Sequence, residues 1–241
     1  MIVRAITIDF WGTLMLDLPG SDNRYKSRRL KDFETILAGA GVRASTAALE
    51  RAYEASAVYL GRIWAAHRDV PVQDHVRAIV GAIDRDLPAR LPADVLAALV
   101  NAYARPILMV PPTVDDGALD ALRKLSDLGY TLAVVSNTMR TPGATLRRVL
   151  ERYGLLSCFA HIAFSDELGV RKPDHFLERF GREESNTKVQ RAHSPSFFYW
   201  LRPNGLAFAA AHVLTGCAPL LRLRAFALAL RPGLHSQPLM P

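Results

Sequence analysis

Two polar side chains suited to chemistry follow short apolar segments of the chain. Asp9 comes directly after Ala5–Ile8, and Ser136 comes directly after Thr131–Val135. A carboxylate held at the end of a strand can attack phosphorus or carbon and form a covalent aspartyl intermediate. A hydroxyl group, together with a positive charge such as that of Lys172, can hold an anionic substrate against that carboxylate. These residue types indicate nucleophilic chemistry on a small anion.

The elements that must position these residues alternate between strands and helices. Both apolar segments are predicted strands, because they are short and bounded by turn residues. A helix is predicted over 118–128 and another over 146–153, before a short strand at 162–164. This alternation favours an α/β fold with a parallel sheet, which binds ligands at the carboxyl ends of its strands. Asp9 and Ser136 are therefore expected at the same edge of one sheet.

A long segment with helical periodicity separates these two residues. Apolar side chains recur at three- and four-residue spacing in four runs between about residues 24 and 103, without a credible strand. Ser45 or Thr46 can cap the second of these helices. We therefore predict that 15–105 forms a four-helix cap, inserted into a core made of 1–14 and 106–184.

Three motifs resemble those of the haloacid dehalogenase (HAD) superfamily of hydrolases. The first is DFWGTL, which begins at Asp9, and the second is Ser136-Asn137; the third, SDELGVRKPD at 165–174, contains Lys172. Each motif alone is weak, but their order, their positions after strands and the helical segment between the first two make the resemblance specific. It covers about residues 1–175. It implies a Rossmann-like core with an inserted cap, and a hydrolase for a small phosphorylated or halogenated metabolite.

The resemblance implies a role for each motif residue. Asp9 would be the nucleophile, and Lys172 would orient it and offset negative charge. Ser136 would bind the transferred group, and further substrate contacts are expected from Trp11, Thr13 and Asn137. Without the resemblance, simpler readings apply: Asp9 and Ser136 would cap a turn or helix, and Lys172 would be a solvated surface lysine.

Trp11 departs from the pattern of the HAD phosphatases. Those enzymes usually carry a second Asp two residues after the nucleophile, which protonates the leaving group and later activates water. An indole can do neither, whereas a halide leaves without a proton, so Trp11 favours dehalogenase-like or acyl-phosphate chemistry. Thr138 argues against a strict dehalogenase, because those enzymes generally have Gly there. They also bind halide with a cap arginine, but nothing selects one residue among the predicted solvated set Arg24, Arg28 and Arg29.

The residues that would hold a metal ion are incomplete in this sequence. The resemblance implies Mg²⁺, which prefers oxygen ligands and which the family holds with an acidic motif beyond the lysine. No carboxylate occurs from residue 185 onward. Asp9 remains as a weak metal ligand, and the nearby acids are expected on surface loops: Asp166, Glu167 and Asp174. A catalytically silent or truncated protein of the same fold is therefore the alternative to an active hydrolase.

The segment 185–241 differs from the rest of the chain in charge and pattern. Residues 1–184 hold 24 Lys and Arg against 23 Asp and Glu, whereas 185–241 hold six basic residues and no acidic one. Helix and strand periodicity also stop. We interpret this tail as the product of an altered reading frame that begins between His175 and Ser185, with a natural fusion or a divergent homologue as alternatives. The C-terminal part of the core, normally one or two further strands, would then be missing or replaced.

Composition limits the location and the partners. Two cysteines are too few for a disulfide framework, and no secretory signal precedes Asp9, so we expect a cytoplasmic protein. Much of the net charge of +7 comes from basic residues spread thinly along the tail, which does not favour nucleic-acid binding. The apolar run 203–221 is interrupted by polar residues and is a poor membrane span. We expect a small anionic substrate as the partner, and the oligomeric state stays open.

Overall fold

The computed structural model describes residues 5–172 and the backbone of 209–210. In chain order, its strands are β1 (Ala5–Ile8), β2 (Met15–Leu16), β3 (Thr113–Val114), β4 (Thr131–Ser136), β5 (His161–Phe164) and β6 (Ala209–Ala210). Its helices are α1 (Ser21–Gly39), α2 (Thr46–Ala65), α3 (Val72–Ile83), α4 (Leu87–Arg90), α5 (Ala93–Ala104), α6 (Pro106–Met109), α7 (Ala118–Asp127), α8 (Gly143–Arg152) and α9 (Ser165–Leu168). A short 3-10 helix, Leu156–Cys158, precedes β5.

The main sheet has the strand order β5-β4-β1-β6. The strands β1, β4 and β5 run parallel, with Ile8 in register with Val134 and Ser136 in register with Phe164. Parallel neighbours need crossover connections, which the chain supplies as helices α7 and α8 and as the helical segment after β1. The predicted α/β fold with a parallel sheet is confirmed.

The tail contributes a strand that the sequence did not reveal. Ala209 and Ala210 pair antiparallel with Ile8 and Thr7, so part of the outer edge of β1 is covered. This short pairing is compatible with our expectation that the C-terminal part of the core is missing or replaced. Its position was not predicted, since backbone hydrogen bonds need no side-chain pattern. The remaining predictions for 185–241 lie outside the described residues.

Two large hydrophobic cores hold the described residues together, beside a small cluster of Val135, Ala163 and Leu168. The first lies around the sheet and joins Ile6 and Val134 to the apolar faces of α7 and α8. The second lies among the helices of the insert, where Phe33, Leu49 and Leu99 are fully or almost fully buried. The four predicted helices correspond to α1, α2, α3 and α5. At the start of α2, the Ser45 hydroxyl accepts a hydrogen bond from Ala48 N at 3.2 Å, which identifies the cap residue.

A small antiparallel pair of strands lies where the chain leaves the sheet for the helical insert and returns from it. Met15 pairs with Val114 and Leu16 with Thr113. Two-residue strands have too few side chains to show alternation, so this pair was not predicted. Among the helices of the described residues, none is long and apolar enough to cross a bilayer.

Candidate active site

The loop after β1 places Asp9 at the carboxyl end of that strand. The Asp9 Oδ1 atom accepts a hydrogen bond from Phe10 N at 2.8 Å, which fixes the carboxylate against its own turn. Gly12 has a φ of 71°, a left-handed conformation that side chains disfavour, and its N–H donates to Met15 O at 2.9 Å. The tight turn that follows keeps the carboxylate at the edge of the sheet.

Lys172 forms an ion pair with Asp9. Its Nζ atom lies 3.0 Å from Asp9 Oδ2 and donates a second hydrogen bond to Val135 O at 2.9 Å. The side chains of Lys172 and Asp9 are 15% and 12% exposed. Burial lowers the pKa of the Lys172 ammonium, while the neighbouring Asp9 carboxylate opposes that shift. The reading of Lys172 as a solvated surface lysine is therefore wrong.

Asn137 joins the second and third motifs through two hydrogen bonds. Its Oδ1 accepts from Lys172 N at 2.8 Å, and its Nδ2 donates to Lys172 O at 3.2 Å. Both amide atoms thus hold the backbone that carries the lysine. The adjacent Ser136 is fully buried, and among the described residues its hydroxyl makes one long contact, of 3.4 Å to Asn137 O. That hydroxyl is therefore weakly hydrogen-bonded to the described protein and can donate to a substrate.

Trp11 and Thr13 occupy different sides of the loop after β1. Trp11 packs edge-on against Phe10, with 4.8 Å between ring centroids, and it lines the cleft described below. Thr13 is 7% exposed and is not among the described residues that line this cleft. Neither the Trp11 indole N–H nor the Thr13 hydroxyl has a hydrogen-bond partner within the described chain. Their predicted substrate contacts stay predictions.

A cleft of about 1280 Å³ opens between the sheet edge and the helical insert. Asp9, Trp11, Ser136, Asn137 and Lys172 line one part of it. Its other walls carry basic side chains from both parts of the chain, namely Lys26, Arg29, Arg140 and Arg171. Four acidic side chains line the cleft as well: Asp9, Asp17, Asp22 and Glu54. The five cations, Lys172 included, therefore exceed the acids by one formal charge. Lys26, Arg171 and Lys172 are ion-paired, so attraction for anions is expected mainly from Arg29 and Arg140.

Arg29 is buried, contrary to the expectation that it is a solvated helix residue. It is 4% exposed, and its Nε donates to Tyr103 O at 2.8 Å. Its Nη2 reaches across to Arg140 O at 3.2 Å. Arg140 in turn stacks on the Tyr53 ring at 4.0 Å. Neither arginine is ion-paired with a described carboxylate. Their positions at the cleft depend on contacts between distant parts of the chain, which sequence periodicity does not show.

The donor set for a metal ion is incomplete in the described part of the chain. Within it, no three His, Cys, Asp or Glu side chains come together as a metal site. Asp166 accepts hydrogen bonds from Gly143 N at 3.1 and 3.2 Å, and Glu167 pairs with Arg147. Both acids are thus engaged elsewhere, while Asp174 lies outside the described residues. The carboxylates placed here do not by themselves fit Mg²⁺.

Sequence reasoning missed Asp69, which lies in the connection between α2 and α3. Its carboxylate is fully buried and pairs with Arg171 Nη1 at 2.7 Å. It also accepts hydrogen bonds from Ser165 and from Thr138, both of which belong to the sheet part of the molecule. The partners are about 70 and 100 residues away in sequence, so no local pattern could have indicated them.

The fold and the site define an α/β protein with an aspartate–lysine pair at the carboxyl edge of a parallel sheet. The sequence profile of the haloacid dehalogenase-like hydrolases matches residues 3–187. The chain therefore belongs to this family of hydrolases, as its motifs indicated.

Similar solved structures include both dehalogenases and phosphatases. The HAD-hydrolase YfnB from Bacillus subtilis, solved with magnesium, is 18% identical, with a TM-score of 0.44 over 80% of this chain and 75% of that one. A predicted phosphoglycolate phosphatase from Haemophilus somnus is 15% identical, with a TM-score of 0.41 over 76% and 72%. L-2-haloacid dehalogenase from Xanthobacter autotrophicus is 18% identical, with a TM-score of 0.38 over 78% and 66%. No curated protein matches significantly.

Proposed function

We propose that the protein is a hydrolase that uses Asp9 as a covalent nucleophile on a small phosphorylated or halogenated metabolite. The observation that carries this proposal is the Asp9–Lys172 ion pair, with 3.0 Å between Nζ and Oδ2, at the edge of the cleft. The lysine holds the carboxylate in position for attack, and the cleft binds an anionic substrate beside it.

The covalent step is a substitution at the atom that bears the leaving group. A carboxylate oxygen of Asp9 forms a bond to that carbon or phosphorus, and the halide or phosphate-ester oxygen departs with the bonding electrons. Water then attacks the aspartyl intermediate, which releases a hydroxylated product or inorganic phosphate and restores the carboxylate. One proton of that water passes to solvent or, where an alkoxide has departed, to that alkoxide. Lys172 and the Ser136 hydroxyl supply positive charge and a donor for the anionic group during both steps.

Trp11 favours leaving groups that need no proton. Its indole lines the cleft near Asp9 in sequence, and it cannot donate a proton to an alkoxide. A halide or an acyl phosphate leaves without such help. We therefore propose haloacids and acyl phosphates as substrates in preference to simple alkyl phosphate esters.

The proposal is tested by measuring halide and phosphate release from 2-haloacids, acetyl phosphate and alkyl phosphates. Asp9→Asn removes the nucleophile and should reduce turnover by about 10³-fold or more. Asp127→Asn, which changes an exposed aspartate that does not line the cleft, is the control and should retain wild-type rates. Repeating the assay with a chelator shows whether a divalent cation takes part.

A chain that turns over none of these compounds, yet binds phosphate at the cleft, supports the alternative of a catalytically silent protein. The observation that favours this alternative is the missing acidic cluster among the described residues. Full activity in Asp9→Asn would contradict the proposed nucleophile directly.

A further inference from the structure

We propose that Asp69, which belongs to the helical insert, is a positioning residue that fixes Lys172 and the loop after β4 in their working arrangement. This inference rests on the proposed function of Asp9 and Lys172. Asp69 is a buried carboxylate outside the three motifs, and its hydrogen-bond partners belong to both the insert and the sheet part.

The carboxylate of Asp69 holds two loops of the sheet part together. Its Oδ2 atom pairs with Arg171 and accepts hydrogen bonds from the hydroxyls of Ser165 and Thr138. Arg171 donates back to Thr138 O, and Ser165 Oγ accepts from Thr138 N at 2.8 Å. The loop after β4 and the loop that carries Lys172 are therefore fastened to one carboxylate.

Asp69 itself is fixed from the side of the insert. Its Oδ1 accepts hydrogen bonds from Trp64 Nε1 at 3.0 Å and from Val70 N at 2.9 Å. The Arg171 guanidinium lies 4.6 Å from the centre of the Trp64 ring. Both oxygens of this carboxylate accept hydrogen bonds, Oδ1 from the insert and Oδ2 from the sheet part. The orientation of the carboxylate is therefore fixed by both parts of the molecule.

The backbone next to Asp69 adds a second connection. Asp69 N donates to Gly169 O at 3.1 Å, and Arg171 N donates to His67 O at 2.8 Å. His67 has a φ of 54°, a left-handed conformation that is unfavourable for a residue with a side chain. The surrounding contacts hold this backbone in place, which indicates that the connection is specific.

The residues that Asp69 holds are direct sequence neighbours of residues at the proposed active site. Lys172 directly follows Arg171, and Asn137, which holds the Lys172 backbone, directly precedes Thr138. Displacement of Asp69 therefore shifts Arg171 and Thr138, and with them the neighbouring Lys172 and Asn137. The distance between Lys172 and Asp9 changes as a result. Because the insert provides Asp69, the site is complete only when the insert lies against the sheet.

The test compares Asp69→Asn with Asp32→Asn. Asp32 is also a largely buried carboxylate of the insert, but its ion pairs go to Arg28 and Arg105, which belong to the same insert. Both variants lose an ion pair of an insert carboxylate, but the arginine partners of Asp32 are 41% and 48% exposed, whereas Arg171 is 9% exposed. Urea unfolding of both variants therefore accompanies the kinetics, so that kcat is compared between fully folded proteins. Asp69→Asn should lower kcat by about 10- to 100-fold with KM within about threefold of wild type, since misplacement by about 1 Å costs this much. Asp32→Asn should leave kcat unchanged.

Hydrogen exchange provides a readout that does not depend on turnover. The amides of Thr138 and Lys172 donate to Ser165 Oγ and Asn137 Oδ1. They should exchange faster in Asp69→Asn and at the wild-type rate in Asp32→Asn. Ser165→Ala removes one of the contacts of Asp69 and replaces Asp69→Asn if that variant does not fold. Because Thr138 N then loses its own acceptor, the readout in Ser165→Ala is the Lys172 amide, which should exchange faster.

The outcomes separate this inference from the proposed function. Equal losses of kcat in both aspartate variants, or unchanged exchange in Asp69→Asn and Ser165→Ala, would overturn the positioning role. A wild-type protein without turnover, but with the predicted exchange pattern, would refute the hydrolase proposal and leave the structural connection standing. In the double variant Asp69→Asn/Arg171→Met, recovered stability without recovered kcat supports positioning, whereas recovery of both contradicts it.

Discussion

At the scale of single residues, the chemistry of this site depends on how each charge is neutralised. Lys172 is paired with Asp9, and Arg171 is paired with Asp69. Arg29 and Arg140 have no carboxylate partner among the described residues, and they donate instead to carbonyl and hydroxyl oxygens. A buried cation without an acid costs desolvation energy, so an anion in the cleft relieves that cost. This favours anionic substrates without selecting one.

Asp166 gives the protein a pH dependence that originates outside the nucleophile. Burial raises the pKa of this carboxyl to about 6, although the Gly143 N–H opposes the shift. Because the folded-state pKa lies above the unfolded value, the folded protein binds more protons between pH 4 and 6. Stability should therefore fall as the pH rises through this window.

We predict that Asp166→Asn removes the loss of stability that accompanies a rise in pH from 4 to 6. The amide can still accept from Gly143 N but cannot ionise, so the variant should gain about 1–2 kcal/mol over wild type at pH 7.5 and little at pH 4.5. Urea unfolding at both pH values measures the difference. Asp127→Asn, at an exposed position, is the control and should follow wild type at both. A gain of equal size at pH 4.5 and 7.5 would show that Asp166 is not the titrating group.

At the scale of elements, sequence periodicity was sufficient wherever an element was long and one-sided. The strand β1, the long helices of the insert, and α7, β4, α8 and β5 all carry apolar runs with a clear period, and all were predicted. The four-residue helices α4, α6 and α9 and the strand pair β2–β3 are too short to carry a period. The motif residues Asp9 and Lys172 were found because their local sequences are distinctive, whereas Asp69, Arg29 and Arg140 depend on contacts that only the folded chain creates.

The start of α8 packs so closely on the end of β5 that only glycine fits. A Cβ atom at Gly143 would lie 2.6 Å from two atoms of Phe164 and 2.8 Å from Glu167 Oε1. Such distances require the helix or the strand to shift. The helix also supplies the amide that Asp166 accepts from, so this contact connects β5, α8 and α9.

We predict that Gly143→Ala lowers the free energy of unfolding by about 1–3 kcal/mol, as overpacked core positions do. Gly39→Ala is the matched control, since Gly39 lies in α1 with no neighbouring atom within 4 Å of the added Cβ. The control should be neutral or stabilising by up to about 1 kcal/mol, because alanine favours the helix. Urea unfolding of both variants decides the point, and a Gly143→Ala protein as stable as wild type would contradict it.

At the scale of the whole molecule, the insert is tied to the sheet at two places that flank the cleft. On one side, Arg29 of the insert donates to Arg140 O and Thr141 Oγ1, and Arg140 donates to the Tyr103 hydroxyl of the insert. On the other side lies Asp69 with Arg171. Both connections end on the loop 138–141, which follows Ser136. The geometry of that loop, and hence of the site, is therefore a property of both parts together.

The acid-free tail is the feature of the whole chain that bears most directly on catalysis. At ordinary composition, roughly seven acidic residues would be expected in a segment of this length, yet 185–241 contain none. The family match extends to residue 187, close to the last acidic residue, Glu184. These observations support our proposal that the reading frame changes between His175 and Ser185.

We predict that another frame of the encoding DNA contains the missing acidic motif. Resequencing codons 170–190 and translating the two other frames downstream should give an apolar strand that ends in Gly-Asp, with another Asp a few residues later. Carboxylates at that position would complete, with Asp9, the oxygen ligands that Mg²⁺ requires. The described sequence up to Lys172 is the internal control, since it must remain in the present frame. If neither frame encodes such a strand, the tail is native to the protein, and the silent alternative gains over the active hydrolase.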